Sequence, residues 1–321
     1  MATRRGPGET RHGVALSSLD DELFDGAGVT KRSLVDYLEG IAERLVPQLR
    51  DRPLSVIRVG HGQDAFMQKN LPKHAPASIE RFAMWAETSQ REVVYPLCND
   101  TPTLVWFANQ RAVEYHPTLS RLPRLDAATH LVLDLDPPPG APFDTVVRTA
   151  RLVRAVLDDL GLASVVKTSG AKGLHVMVPI AETAPEDAAA ATRSIAARAE
   201  RLDPDLATTA FLKDDRNGRV FLDATRTAMA TLAAVYSPRA RPRVPVSFPV
   251  AWDDLDAVEP GAATITNALA LLGDRDPWAE WMPDAQTVPA ALISDGHEIP
   301  IPRVAAMHEG KRRRAAARKA T

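Results

Sequence analysis

Two aspartates separated by one residue, Asp134 and Asp136, end an apolar run and precede three consecutive prolines. In an extended strand alternate side chains point the same way, so the two carboxylates share one face while Leu131, Leu133 and Leu135 face the other. Carboxylates this close repel each other unless a cation or a shared proton lies between them, and hard oxygen ligands suit Mg²⁺ or Mn²⁺. The pair therefore predicts a metal site for phosphoryl transfer. Taken alone, it is also typical of a strand that ends in a turn.

A second candidate site is the glycine-rich segment from Ser169 to Gly173, between two apolar runs typical of strands. Gly170 and Gly173 allow backbone conformations in which amide groups converge on an anion, and Lys172 adds a positive charge. The segment lacks the G-x-x-x-x-G-K-[ST] pattern and leads into a strand, which argues against a P-loop nucleotidase. Taken singly, a solvated turn and a half-buried strand histidine at His175 are the alternative interpretations.

These motifs and several others, in this order and spacing, resemble one family. The matching segments are DGAGVTKRSLVDYLEGIA, FMQKNLP, VEYHP, HLVLDLDP, KTSGAKGLHVMVP, DRNGRVFLDATR and YSPRARPRVPVSFPVAWDDL. Over about residues 25 to 281 the chain resembles the polymerase domain of bacterial ligase D, a member of the archaeo-eukaryotic primase superfamily, in a stand-alone form.

The resemblance implies an α+β fold of the primase type, with two sheet-bearing halves and the active site in the cleft between them. Residues 25–290 would form the polymerase domain, after an N-terminal extension of residues 1–24 and before an extended basic tail of residues 291–321. Hydrophobic periodicity independently indicates helices near residues 34–45, 143–160 and 186–201, and strands near residues 54–59, 93–97, 104–108 and 219–223.

The resemblance also implies roles for single residues. A triad that holds two Mn²⁺ or Mg²⁺ ions would consist of Asp134, Asp136 and Asp223, of which the last also contacts the attacking primer hydroxyl. The incoming triphosphate, an NTP or dNTP, would be bound by His116, Ser169, Lys172, His175 and Arg239, and His175 would add positive charge if it is protonated. DNA binding, with its 5′-phosphate, or support of the site would fall to Lys31, Lys69, Asn70, Arg216 and Arg226.

Chemistry agrees with this set, because two cations held by three aspartates can stabilise both the attacking and the departing oxygen. We expect a template-directed nucleotidyltransferase that fills or extends DNA ends in non-homologous end joining, using ribonucleotides at least as readily as deoxyribonucleotides. The expected partners are DNA ends, a Ku-type protein and a separate DNA ligase, since the chain contains no Lys-x-Asp-Gly adenylation motif.

Two departures from the family pattern leave alternatives open. The loop from Ala224 to Ala234 and the acidic segment from Asp20 to Asp25 both differ from relatives. A non-catalytic DNA-end binding or bridging module with the same fold would account for the altered loop. A metal-dependent phosphoesterase is a third possibility.

Composition fits an enzyme but does not by itself indicate DNA binding. With 321 residues, 45% hydrophobic, the chain can bury a substantial core in one or two lobes. Its net charge is only −2, so a DNA surface must come from local clusters such as Arg239 to Arg243 and the tail from Lys311 to Lys319. One cysteine, Cys98, excludes an intramolecular disulfide. No signal peptide or membrane span is visible, so we expect a cytoplasmic, nucleoid-associated protein.

Overall fold

The computed structural model describes residues 9–60, 64–86 and 90–301. Within these ranges the helices are α1 (Lys31–Gly40), α2 (Ala42–Leu49), α3 (Thr101–Asn109), α4 (Phe143–Asp159), α5 (Pro185–Leu202), α6 (Ala268–Leu272), α7 (Pro277–Trp281) and α8 (Ala290–Glu298). The strands are β1 (Thr10–Arg11), β2 (Val14–Ala15), β3 (Leu54–Arg58), β4 (Phe66–Gln68), β5 (Arg81–Ala86), β6 (Arg91–Pro96), β7 (Ala112–Pro117), β8 (Ala128–Asp136), β9 (Val165–Thr168), β10 (Leu174–Thr183), β11 (Ala207–Thr208), β12 (Val220–Asp223) and β13 (Pro249–Val250).

The largest sheet contains six strands in the order β11-β12-β8-β10-β9-β13. Its central strand β8 pairs antiparallel with β12 on one side and β10 on the other. Leu131, Leu133 and Leu135 lie in one apolar core with residues of α4 and α5, as their alternation predicts. That helix-covered face leaves the opposite face, with Asp134 and Asp136, for chemistry.

A second set of elements surrounds a smaller sheet of order β4-β3-β7. The hairpin of β5 and β6 pairs separately, and helices α1 to α3 share a second apolar core with β3 and β7. The mixed α+β class with several sheets is therefore confirmed. The two cores are distinct, because even-numbered Val132 of β8 belongs to the second core and its odd-numbered neighbours to the first.

Helix α1 shows how local sequence fixes these elements. The Thr30 side chain accepts a hydrogen bond from the Ser33 amide and caps the helix. Leu34 and Leu38, four residues apart on one face, are fully buried.

The expected strand at residues 104–108 is wrong, because these residues lie in helix α3. The Asp100 side chain accepts from the Thr103 amide at 2.8 Å, and Pro102 occupies the first turn, where it removes no helical hydrogen bond. Residues 103–108 are all buried, so the helix has no polar face whose period could distinguish it from a buried strand.

Both flanking segments of the expected polymerase domain contribute to packing. Leu16, Leu19 and Leu23 of the N-terminal extension are buried in the second core. Helix α8, in the expected tail, packs against α5 so closely that a Cβ added to Gly296 would lie 1.9 Å from the Ala190 carbonyl oxygen. Among the described residues, no helix is long and apolar enough to cross a membrane.

Candidate active site

Backbone pairing aligns four polar residues in a row across the six-stranded sheet. Asp223 of β12 is the partner of Asp134 in β8, Asp134 is the partner of His175 in β10, and His175 is the partner of Lys167 in β9. Directly paired residues project to the same side, so the row lies on the face away from α4 and α5. The structure thus brings together two predicted aspartates that are distant in sequence, with the predicted histidine beside them.

Asp136 completes the acidic group two residues along β8. Burial raises the pKa of Asp136, and the charges of Asp134 and Asp223 add to the effect, bringing it to about 6. Asp134 is more deeply buried, but His175, Arg226 and Lys167 outweigh the burial and lower its pKa. Asp223 accepts hydrogen bonds from the backbone amide and hydroxyl of Thr225, at 2.9 and 2.6 Å, which fix its carboxylate at the end of the strand.

Arg226 lies among these carboxylates. Its Nη2 is 3.6 Å from Asp134 Oδ2 and its Nε is 3.4 Å from Asp223 Oδ2. Within residues 9–60, 64–86 and 90–301, no three His, Cys, Asp or Glu side chains already have the arrangement of a metal site. The donor chemistry nevertheless fits Mg²⁺ or Mn²⁺, because three hard carboxylates lie close enough together for two of them to raise the pKa of Asp136.

His175 lies between Asp134 and a fully buried lysine. Its Nε2 is 3.4 Å from Asp134 Oδ1, and its Nδ1 is 2.7 Å from Lys167 Nζ. Burial and then the charge of Lys167 lower the pKa of His175 to about 4, so the imidazole is neutral at pH 7 and adds no positive charge to the site. Burial lowers the pKa of Lys167 well below its usual value, and its Nζ also donates to Ser247 Oγ at 2.7 Å and to the Ala233 carbonyl at 3.0 Å.

The glycine-rich turn between β9 and β10 lies directly beside the row. Ser169 Oγ accepts from the amides of Ala171 and Gly173 at 3.2 and 3.1 Å, so two amides expected to face an anion are bonded within the turn. Lys172 is exposed. A Cβ on Gly173 would lie 2.1 Å from the Leu135 carbonyl oxygen, so only glycine lets the turn approach β8 this closely.

His116 and Arg239 meet at a buried carboxylate that the sequence analysis did not single out. Glu114 Oε2 is 2.7 Å from His116 Nε2 and 2.9 Å from Arg239 Nε. The guanidinium of Arg239 also donates to the carbonyl oxygen of Ser169. Arg239 therefore lies next to the turn, and His116 is connected to it through Glu114. Glu114 could have been found from the VEYHP segment, where it shares a strand face with His116.

The four predicted DNA-binding and supporting residues other than Arg226 each lie in a different environment. Arg216 stacks 3.8 Å from the centre of the Phe221 ring, and its charge opposes the rise in the pKa of Asp136. Asn70 Oδ1 accepts from the Val94 amide at 2.8 Å, a structural contact. Lys69 is exposed. Lys31 is buried, and its ammonium donates to the Ser17 carbonyl, so its side chain is not presented to solvent.

Asp223 and Arg226 also border a cleft of about 1210 Å³. Its other walls come from α5, residues 209–215 and residues 299–301. The cleft gives the third aspartate an open approach from the β12 side.

Comparison with known proteins shows a consistent set of similarities. The sequence model described as "LigD, primase-polymerase domain" matches residues 30–278. The multifunctional non-homologous end joining protein LigD of Mycolicibacterium smegmatis is 35% identical over 248 residues, which are 75% of this chain and 32% of that protein. The bifunctional non-homologous end joining protein LigD of Bacillus subtilis is 30% identical over 287 residues, 87% of this chain and 46% of that protein.

A solved structure extends the similarity to three dimensions. The polymerase domain of Mycobacterium tuberculosis ligase D, determined in complex with DNA, matches with a TM-score of 0.78 and 31% identity, covering 85% of this chain and 99% of that one. The chain thus spans less than half of the length of these two full-length relatives but nearly all of the isolated polymerase domain.

Proposed function

Because this chain belongs to the LigD primase-polymerase domain family, we propose that it is a template-directed nucleotidyltransferase that fills in or extends DNA ends. The proposal depends above all on the row of Asp223, Asp134 and His175 across three neighbouring strands. Sheet hydrogen bonds hold these groups together. The glycine-rich turn, which we propose binds the triphosphate, lies between β9 and β10 beside them.

In the proposed reaction Asp134, Asp136 and Asp223 would hold Mn²⁺ or Mg²⁺. Bound there, the ions would stabilise charge on the attacking and departing oxygens. Lys172, exposed on the turn, and Arg239 would bind the triphosphate and offset its charge. Neutral His175 would donate or accept a hydrogen bond beside Asp134, and the cleft bordered by Asp223 would admit the primer end.

The direct test is primer extension by purified protein with Mn²⁺ or Mg²⁺ and either NTPs or dNTPs. We expect incorporation by the native chain and its loss in Asp134→Ala and Asp136→Ala. Asp284→Asn, an exposed carboxylate far along the chain, is the matched control. Extension that persists in both alanine variants would refute the assignment of the metal site.

One observation favours a second candidate function. Arg226 pairs with Asp134 and Asp223, and its positive charge partly offsets the charge of these two carboxylates. A non-catalytic DNA-end binding or bridging module would keep such pairs permanently. A gel-shift signal with native protein, combined with no incorporation under either metal, would favour this role.

The wider biological setting is proposed on the same family relationship. The relatives named above are non-homologous end joining proteins. We place this chain in that process in the cytoplasm, at the nucleoid, with a Ku-type protein and a DNA ligase as partners and ribonucleotides used at least as readily as deoxyribonucleotides. Competition between ATP and dATP in the same primer-extension assay measures the sugar preference.

A further inference from the structure

Glu114 is a buried carboxylate with partners on both sides of the nucleotide-binding region. Its side chain is 6% exposed and lies on the same face of β7 as His116. Oε2 is shared between His116 Nε2 and Arg239 Nε, and Oε1 accepts from the Ala240 amide at 2.8 Å. Burial opposes its ionisation, but the hydrogen bond from His116 and the charge of Arg239 outweigh it and hold the pKa of Glu114 at about 2.

These contacts join two parts of the fold that backbone pairing leaves separate. Glu114 belongs to the small sheet, whereas Ser169 begins the turn of the six-stranded sheet. Arg239 spans them, because its Nε faces Glu114 and its Nη1 donates to the Ser169 carbonyl. The Ser237 hydroxyl, which accepts from the Tyr115 amide at 2.9 Å, fixes the backbone beside this connection.

Resting on the proposed function, we propose that Glu114 is a positioning residue that orients His116 and Arg239 together for binding the nucleoside triphosphate. It does not touch the substrate. Glu114 Oε2 lies 2.9 Å from Arg239 Nε in an ion pair, and Nη1 of the same planar guanidinium donates to the Ser169 carbonyl, so the ion pair holds the guanidinium against the turn. His116 Nε2 is held by the same oxygen, which leaves Nδ1 for another partner.

A purely structural glutamate and a positioning glutamate differ in what their loss changes. A structural role predicts lower stability with equal loss of all activities. A positioning role predicts a change confined to nucleotide affinity, because the carboxylates of β8 and the DNA-binding surface keep their own contacts. The buried ion pair with Arg239 is the contact through which we expect this change to arise.

The test is a double-mutant cycle with Glu114→Gln, Arg239→Gln and the double variant, measured by steady-state primer extension. Glutamine keeps the shape and the acceptor for Ala240 but removes the charge that holds Arg239. We expect Glu114→Gln to raise the KM for the nucleotide by about 10- to 100-fold with a smaller change in kcat. The Kd for DNA, measured by fluorescence anisotropy, should not change. Glu43→Gln, an exposed glutamate of α2, is the matched control.

The coupling between Glu114→Gln and Arg239→Gln shows whether Glu114 acts through Arg239. If Glu114 acts through Arg239, then Glu114→Gln adds little to the KM of Arg239→Gln. Fully additive effects, or equal losses in kcat and DNA binding, would overturn the inference. Should Glu114→Gln fail to fold by circular dichroism, the cycle is run with Glu114→Asp, which keeps the charge but withdraws it from Arg239.

The same assay separates this inference from the proposed function. A native chain that neither incorporates nor binds ATP with Mn²⁺ would refute the proposed function. A native chain that does both, with Glu114→Gln indistinguishable from it, would refute only the role of Glu114.

Discussion

In the absence of a metal ion, replacing Asp136 by asparagine should stabilise the fold, and it should abolish the nucleotidyl transfer that we propose for this chain. Burial and the charges of Asp134 and Asp223 raise the pKa of Asp136 from 3.8 to about 6. Protonation is therefore favoured in the folded state, and the associated stability is fully present below pH 3.8 and lost as the pH rises through about 6. At pH 7.5 the native protein carries a repelled carboxylate that the amide variant lacks.

The magnitude follows from the same shift. One pKa unit corresponds to about 1.4 kcal/mol, so the whole shift of the Asp136 pKa would give roughly 3 kcal/mol. Because Asp136 is only partly buried and its side chain still reaches solvent, screening reduces this to about 1 kcal/mol. For a chain of 321 residues that is a rise in Tm of about 1 to 2 °C.

The assay is thermal unfolding at pH 7.5 and at pH 4, measured once in EDTA and once in excess Mn²⁺ without EDTA. We expect Asp136→Asn to exceed the native Tm in EDTA at pH 7.5 and to approach it at pH 4. Excess Mn²⁺ should raise the native Tm more than that of the variant. Asp284→Asn is the control at an exposed site. A lower Tm for Asp136→Asn in EDTA at pH 7.5 would show that the carboxylates do not repel each other.

Three further predictions concern basic residues of the turn, of the sheet and of the C-terminal tail. Lys172→Ala should lower kcat/KM for the triphosphate by about 100-fold, and because Lys172 is exposed, urea unfolding should change by less than about 0.5 kcal/mol; an unchanged kcat/KM would remove Lys172 from the phosphate site. Lys167→Met should destabilise the fold by about 1 to 3 kcal/mol, because it leaves the Ala233 carbonyl and Ser247 Oγ without their donor and removes the hydrogen bond between Nζ and His175 Nδ1. Exposed Lys213→Met is the control in urea unfolding, and equal stability of the two variants would contradict the reasoning. Deleting residues 311–321, which lie outside the described residues, should reduce the salt dependence of DNA binding by up to about 0.9 per lost phosphate contact in a log Kd against log salt plot; an identical slope would assign the tail no contact.

The sequence predicted the site best where the two-residue alternation of a strand coincided with a motif of the family. Alternation in residues 131–136 predicted both the strand and the face of its two aspartates, and the family resemblance supplied Asp223. Helix α3 was missed because it is apolar on every side, so its period could not be read from residues 104–108.

The partners of individual side chains were harder to predict from the sequence than the strands on which these side chains lie. The resemblance named His116 and Arg239, but their shared contact with Glu114 depends on how residues 237–247 fold back beside β7. The neutral state of His175 depends on its own burial and then on the charge of Lys167, eight residues earlier in sequence. Such long-range electrostatic effects follow only from tertiary structure.

The row of paired residues across β12, β8, β10 and β9 has a consequence for how the chain tolerates insertions and deletions. Adjacent strands lie about 4.8 Å apart, and successive side chains alternate between faces. One residue gained or lost within β8 would turn Asp134 toward the apolar core with α4 and α5, and would expose a leucine in its place. Insertions and deletions should therefore accumulate in the loops and not in these four strands. The distances between the side chains of the row would then stay the same even where the rest of the sequence changes.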